Sequence, residues 1–135
     1  MNQIVYSILL VTLVMVACSK DQEVATSKVL KDVTSLSEYS VKISNGVSLL
    51  FFHATWCPKC SAQRPAIEQA ADDASLKGVF FGQVDYEKVT EVVKTAKVVG
   101  FPTMVFYKDG AEVARFSGQG HSHDKIKNQL TELLQ

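Results

Sequence analysis

The chain has 135 residues, a one-domain length, and 47% of them are hydrophobic, enough to build a core. Its 14 basic and 14 acidic residues cancel, which excludes the charge asymmetry that binds nucleic acid or an anionic membrane surface. There is no Gly-rich phosphate loop, internal repeat or low-complexity tract, so the chain lacks a dinucleotide fingerprint for drawing electrons from a nicotinamide or flavin.

Residues 1–17 carry no charged side chain. Ile4 to Ala17 is apolar and shorter than the roughly 20 residues a bilayer span needs, so it fits the apolar core of an export signal. Met1-Asn2-Gln3 lacks the basic side chain usual at such a start. The run ends in Met15-Val16-Ala17-Cys18, which resembles the lipobox of bacterial lipoproteins, where the cysteine is lipidated and becomes the mature N-terminus. Ser19 follows, rather than the aspartate associated with inner-membrane retention. The alternative is a plain cleaved signal with an incidental Cys18. Of 3 cysteines, one is left over if the other two pair, and lipidation of Cys18 removes that stray thiol. Several acyl chains anchor stably where a single one does not. The expected organisation is a signal over 1–17, a polar tether over 18–28 and one domain over 29–135, exported to the periplasm or cell envelope and held to the membrane by lipid.

Val29 to Val33 reads as a short first strand. Ser35-Leu36-Ser37-Glu38 matches a capping box, with Leu36, Tyr39 and Ile43 following at helical spacing and Asn45-Gly46 ending the helix. Val47 to His53 is a continuous apolar run bounded by turn signals, the pattern of a buried central strand.

Next comes Ala54-Thr55-Trp56-Cys57-Pro58-Lys59-Cys60, at the start of a helix expected to run to about Leu76. One helical turn puts residues i and i+3 on one face, close enough for a disulfide that can open and close. The first sulfur lies where unpaired backbone N–H groups favour negative charge, which makes a thiolate available near neutral pH. Lys59 places a positive charge within a turn of both sulfurs and favours the thiolate further; its plain alternative is a solvated surface lysine. Ala62, Ala66, Ala70 and Ala74 recur every four residues, which permits close packing on a sheet. Pro65 is expected to kink the helix.

Val79 to Val84 is the next strand, ending at Asp85, and Glu87 to Ala96 a short helix. Gly100-Phe101-Pro102-Thr103 is a turn. Thr103 to Tyr107 and Glu112 to Phe116 are strands joined by Lys108-Asp109-Gly110, where Asp-Gly signals a hairpin. Ser122 is a fair N-cap for a last helix with Ile126, Leu130, Leu133 and Leu134 on one face. The order β-α-β-α-β-α-β-β-α implies an α/β fold: a mixed sheet of four to five strands, parallel first and closed by an antiparallel hairpin, with helices on both faces.

From Val29 to Gln135 the chain resembles the thioredoxin family. The resemblance rests on Trp56-Cys57-Pro58-Lys59-Cys60, Pro65, Asp85 at a strand end, Gly100-Phe101-Pro102-Thr103, the Lys108-Asp109-Gly110 turn and Gly118. It implies the thioredoxin fold and thiol–disulfide exchange without a cofactor beyond the redox disulfide. Cys57 would be the more exposed nucleophile and Cys60 the resolving thiol. Pro102 would be cis, packed against the cysteines and keeping metal from them, with the backbone of Phe101 free to pair with an extended substrate strand. Trp56 would shield the site and offer an apolar contact.

Three positions depart from the family. The buried Asp six positions before the first cysteine is Phe51. The Lys that often pairs with it is Phe81. His53 stands where Trp is frequent and is a candidate replacement proton carrier. Exchanging both members of a buried charged pair for apolar groups is physically coherent, but it removes a carboxylate that serves the resolving cysteine.

Zinc binding by the cysteines would need four ligands. Outside the signal only His53, His121 and His123 remain, and the latter two are expected to sit in solvent, so no metal is expected. A purely structural disulfide is the other bland reading. Two function classes follow. One is an envelope oxidoreductase acting on protein disulfides or dithiols, as a reductant recharged by a transmembrane electron donor of the DsbD kind or, run backwards, as a dithiol oxidase. The other is a thioredoxin-fold binding or assembly module with little turnover. No feature suggests an oligomer, and a monomer is expected.

Overall fold

The computed structural model describes residues 29–135. The expected signal, Cys18 and the expected tether up to residue 28 lie outside the described residues. The chain runs β1 (Lys31–Asp32), α1 (Leu36–Ile43), β2 (Val47–His53), α2 (Pro58–Asp72), a 3-10 turn (Ala74–Leu76), β3 (Phe80–Asp85), α3 (Thr90–Thr95), β4 (Thr103–Lys108), β5 (Ala111–Ser117) and α4 (His123–Leu133). The strands form one mixed sheet in the order β1-β3-β2-β4-β5. β1, β3 and β2 are parallel, β4 lies antiparallel on β2, and β5 closes the hairpin.

β2 is the centre of the sheet, and its apolar run follows from burial on both faces. Leu49 and Phe51 point to one side and meet Ile67 and Ala70 of α2 and Ile126 and Leu130 of α4. Leu50 and Phe52 point to the other and meet Tyr39 of α1 and Val92 and Val93 of α3. Asp109 and Gly110 both have positive φ, 49° and 88°, as a two-residue hairpin turn of the primed type requires. The Asp109 carboxylate also accepts from the Gly46 N–H at 2.8 Å, so this turn and the end of α1 brace each other.

Several expected boundaries shift, each for a local reason. Strand β1 shortens to two residues because Val33 to Thr34 turns into α1. The cap of α1 is a variant of the expected box: Ser35 Oγ accepts from the Glu38 N–H at 3.1 Å, but the Glu38 carboxylate accepts from the N–H and hydroxyl of Thr34, one residue before the cap. Helix α2 ends at Asp72 rather than near Leu76, since the Asp73 side chain caps a separate 3-10 turn through Ser75. Helix α3 begins at Thr90 rather than Glu87. There the Asp85 carboxylate accepts from the Glu87 N–H at 3.0 Å, and a side chain that bonds the backbone two residues on makes a turn, not a helix.

The alanine stripe is not the packing face of α2. Ala62 and Ala74 are exposed, and the buried seam is Cys60, Gln63, Ile67 and Ala70. A four-residue spacing overshoots the 3.6-residue turn by about 40° per step, so the stripe winds off the sheet. Likewise Leu134 is exposed while Ile126 and Leu130 carry the α4 contact.

Candidate active site

The loop after β2 and the turn before β4 lie at the same end of the sheet, because the antiparallel register sets Phe52 opposite Thr103. This brings the Trp-Cys segment and the Phe101-Pro102 bond together. Cys57 and Cys60 form a disulfide with Cα atoms 5.2 Å apart. Cys57 is the N-cap of α2, Pro58 occupies the first turn, and Cys57 Sγ accepts from the Cys60 backbone N–H at 3.2 Å. A sulfur in this place receives the orphan N–H groups and positive end of the helix dipole. Both cysteines are nearly covered, Cys57 at 6% exposure and Cys60 at 3%.

The Phe101–Pro102 peptide is cis, as the resemblance implies. Phe101 is half-buried between two aromatic neighbours: Trp56 meets it edge-on at 6.4 Å and Tyr86 at 5.2 Å. Trp56 is 62% exposed beside the disulfide. A groove of about 220 Å³ follows Val99 to Thr103 and continues past Ser117 and Gly118. Lys59 and Pro58 are exposed, and Lys59 makes no ion pair among the described residues.

Beneath the disulfide the sheet presents Phe51 and Phe81, both buried in the same cluster as the two cysteines. The Arg64 guanidinium lies over the Phe51 ring, 5.1 Å from its centroid. It donates to Gln83 Oε1 at 2.7 Å, and Gln83 Nε2 donates to Asp32 at 2.7 Å. His53 stacks on Phe51 at 5.3 Å. Burial holds the His53 imidazole below its ordinary range, Arg64 adds to this, and Asp85 and Asp32 pull weakly the other way.

Neither remaining histidine simply sits in solvent. His121 stacks on Phe116 at 5.0 Å, and His123 lies beside Asp73 and Asp124. Lys127 and Ser75 hold the Asp73 carboxyl well below the usual carboxylate range. Among the described residues there is no group of three or more His, Cys, Asp or Glu side chains able to hold a metal ion.

Three residues near the site escaped sequence reasoning. Gln63 is 1% exposed, and its amide binds both backbone groups of His121; a glutamine three places after an inward cysteine was a readable sign of a buried amide needing partners. Arg64 follows Cys60 by one turn, a spacing that was equally visible. Tyr86 lies in the turn after β3, where no periodicity marks it.

A helix-capping Cys-x-x-Cys disulfide beside a cis-proline turn, on this mixed sheet, defines a protein-disulfide oxidoreductase of the thioredoxin fold. A family model described as Thioredoxin matches residues 28–132, and the chain belongs to the thioredoxin family. It is 38% identical over 86 residues to Thioredoxin-2 of Saccharomyces cerevisiae, covering 62% of this chain and 81% of that protein. It is 32% identical over 102 residues to the thioredoxin of Chlamydia pneumoniae, covering 76% and 93%. Among solved structures, Plasmodium falciparum thioredoxin superposes with a TM-score of 0.67 at 28% identity, covering 76% of this chain and 98% of that one.

Proposed function

We propose that this protein is an envelope thiol–disulfide oxidoreductase that reduces protein disulfides. In the reduced enzyme the Cys57 thiolate attacks a substrate disulfide. One substrate sulfur leaves as a thiolate and takes up a proton, and a mixed disulfide with Cys57 remains. Cys60 then loses its proton and attacks Cys57 Sγ, expelling the second substrate thiolate and restoring the Cys57–Cys60 disulfide. Two electrons pass from the dithiol to the substrate. The reading is carried by Cys57 Sγ at the N-terminus of α2, where the Cys60 N–H bonds it. The exposed Trp56 and the Phe101 backbone beside cis-Pro102 form the contact surface for an extended substrate segment.

The envelope location is supported by the uncharged residues 1–17 and by Cys18 at the end of the lipobox-like run. In that compartment Cys18 carries the lipid and a transmembrane donor of the DsbD kind returns the reducing equivalents. Palmitate labelling of the full chain in a Gram-negative host, lost in Cys18→Ala, tests the anchor. Retained labelling in that variant removes the lipoprotein reading.

Direction is tested by the reduction potential of the Cys57–Cys60 pair. A value well below the about −120 mV of DsbA supports a reductant; a value at or above it makes the protein a dithiol oxidase. One observation favours a second reading, a binding or assembly module with little turnover: Phe51 and Phe81 remove the buried carboxylate and its partner. Insulin reduction no faster than the chemical background, with peptide binding intact in Cys57→Ser/Cys60→Ser, would decide for the module.

A further inference from the structure

The buried side of the dithiol carries a charge that the family pattern does not lead one to expect. Arg64 follows Cys60 by four residues on α2, so their Cβ atoms are neighbours on one helix face, about 5–6 Å apart. Long helical side chains lean back toward the N-terminal turn, which for Arg64 is the turn that starts at Cys60. Its guanidinium is fixed on three sides: the Phe51 ring lies beneath it at 5.1 Å, Gln83 accepts at 2.7 Å and Glu68 pairs at 3.7 Å. Phe51 stands where the family has a carboxylate and packs in the same cluster as the two cysteines, so the charge laid over that position is a fixed cation.

We propose that Arg64 is a positioning residue for exchange: its fixed positive charge promotes ionisation of Cys60 and so speeds the resolving step. The family's carboxylate would help by taking a proton. A guanidinium, always charged, instead stabilises the thiolate that remains once the proton has left for water or for His53. The proposal rests on the exchange activity of the Cys57–Cys60 pair. The other titratable and charged groups around this side are His53 and its register neighbour Asp85 at the strand ends, Lys88 beyond them, Asp32 through Gln83, and Glu68 and Lys59 on α2. Asp32 is reached only through Gln83, two hydrogen bonds away, and Glu68 is partly exposed, whereas the guanidinium is held directly over Phe51.

Single-turnover reaction of the reduced protein with a chromogenic aromatic disulfide separates attack by Cys57 from resolution by Cys60. The expected result in Arg64→Met is an attack phase with an unchanged pH midpoint and a resolving phase whose midpoint rises by about one pH unit, a tenfold slowing at pH 7. At a pH above both midpoints, where Cys60 is ionised, the reduced form is stabilised less and the potential falls too; a tenfold change in the glutathione equilibrium there is about 30 mV. Arg64→Lys restores most of both. Arg64→Gln keeps a donor for Gln83 without the charge, behaves like Arg64→Met, and serves if the methionine variant does not fold. A resolving midpoint and potential unchanged in both neutral variants overturn the proposal. Absence of any turnover in the unmodified protein would instead defeat the exchange activity itself, an outcome distinct from a silent Arg64.

Discussion

Gln63 and His121, 58 residues apart, are joined by two hydrogen bonds: Gln63 Nε2 donates to the His121 carbonyl at 2.7 Å, and Gln63 Oε1 accepts from the His121 N–H at 3.0 Å. Gln63 is one turn beyond Cys60 on the buried seam of α2, and His121 ends the loop that begins at Gly118. The amide therefore ties the reactive helix to one wall of the groove beside cis-Pro102. Leucine at this position would fill similar volume and leave both backbone groups without their partner.

Gln63→Leu is accordingly expected to destabilise the domain by about 1–3 kcal/mol, the cost of stranding partly buried polar groups. Since the loop lines the groove, KM for a protein disulfide should rise while the rate of a small-molecule disulfide, which needs no groove, changes little. Urea unfolding and paired assays on insulin and a small disulfide check both parts. Equal loss on the two substrates would mean that the tie supports the helix and not the groove.

The two cysteines should fail in different ways. Cys57→Ser is expected to reduce activity to the uncatalysed background, because no nucleophile remains at the helix cap. Cys60→Ser keeps the capping sulfur but loses the resolving thiol, so it should accumulate a mixed disulfide with substrate, visible on non-reducing gels and dissolved by dithiothreitol. Accumulation in Cys57→Ser instead would reverse the roles.

What the sequence made legible follows the range of the interaction. Features governed by neighbours were readable: the Ser35 and Ser122 caps, the Asp109-Gly110 hairpin, the apolar run of β2, and the helix start at the cysteines. Boundaries were lost where one side chain redirected the backbone, as Asp85 does before α3 and Asp73 does after α2. The alanine stripe misled because composition suggested a face that the helical period does not keep. The polar floor of the site was the least legible part. Arg64, Gln83 and Asp32 come from three different elements, and only the sheet order β1-β3-β2 brings them into line.

Phe51 and Phe81 are expected to behave as a unit. Phe51→Asp removes a fully buried ring and puts a carboxylate in its place, a loss on the order of 3–5 kcal/mol from packing alone, partly offset by the Arg64 guanidinium that lies over this position. Phe81→Lys alone strands a cation in the same cluster. The double variant should be less destabilised than the sum of the two, since residues that interact are not additive. Denaturation midpoints of all four proteins close the cycle. Strict additivity would show that the two positions do not communicate and that their joint departure from the family pattern carries no pairing.

The His53 imidazole has a lowered proton affinity in the folded chain, because burial and then Arg64 disfavour its charged form. Above the ordinary histidine value, about 6.5, both folded and unfolded forms are neutral and His53 makes no pH-dependent contribution. As pH falls below that value the unfolded chain binds a proton that the folded chain refuses, so stability declines until the folded imidazole itself titrates. Thermal melts from pH 7.5 to 5 should therefore show a falling Tm. His53→Phe, which keeps a ring to stack on Phe51, should flatten that slope without lowering Tm at pH 7.5. An identical slope in the variant would place the acid sensitivity elsewhere. Measuring the resolving phase in the same variant separates two roles: if its pH profile also moves, the imidazole takes part in proton transfer at Cys60 as well as in packing.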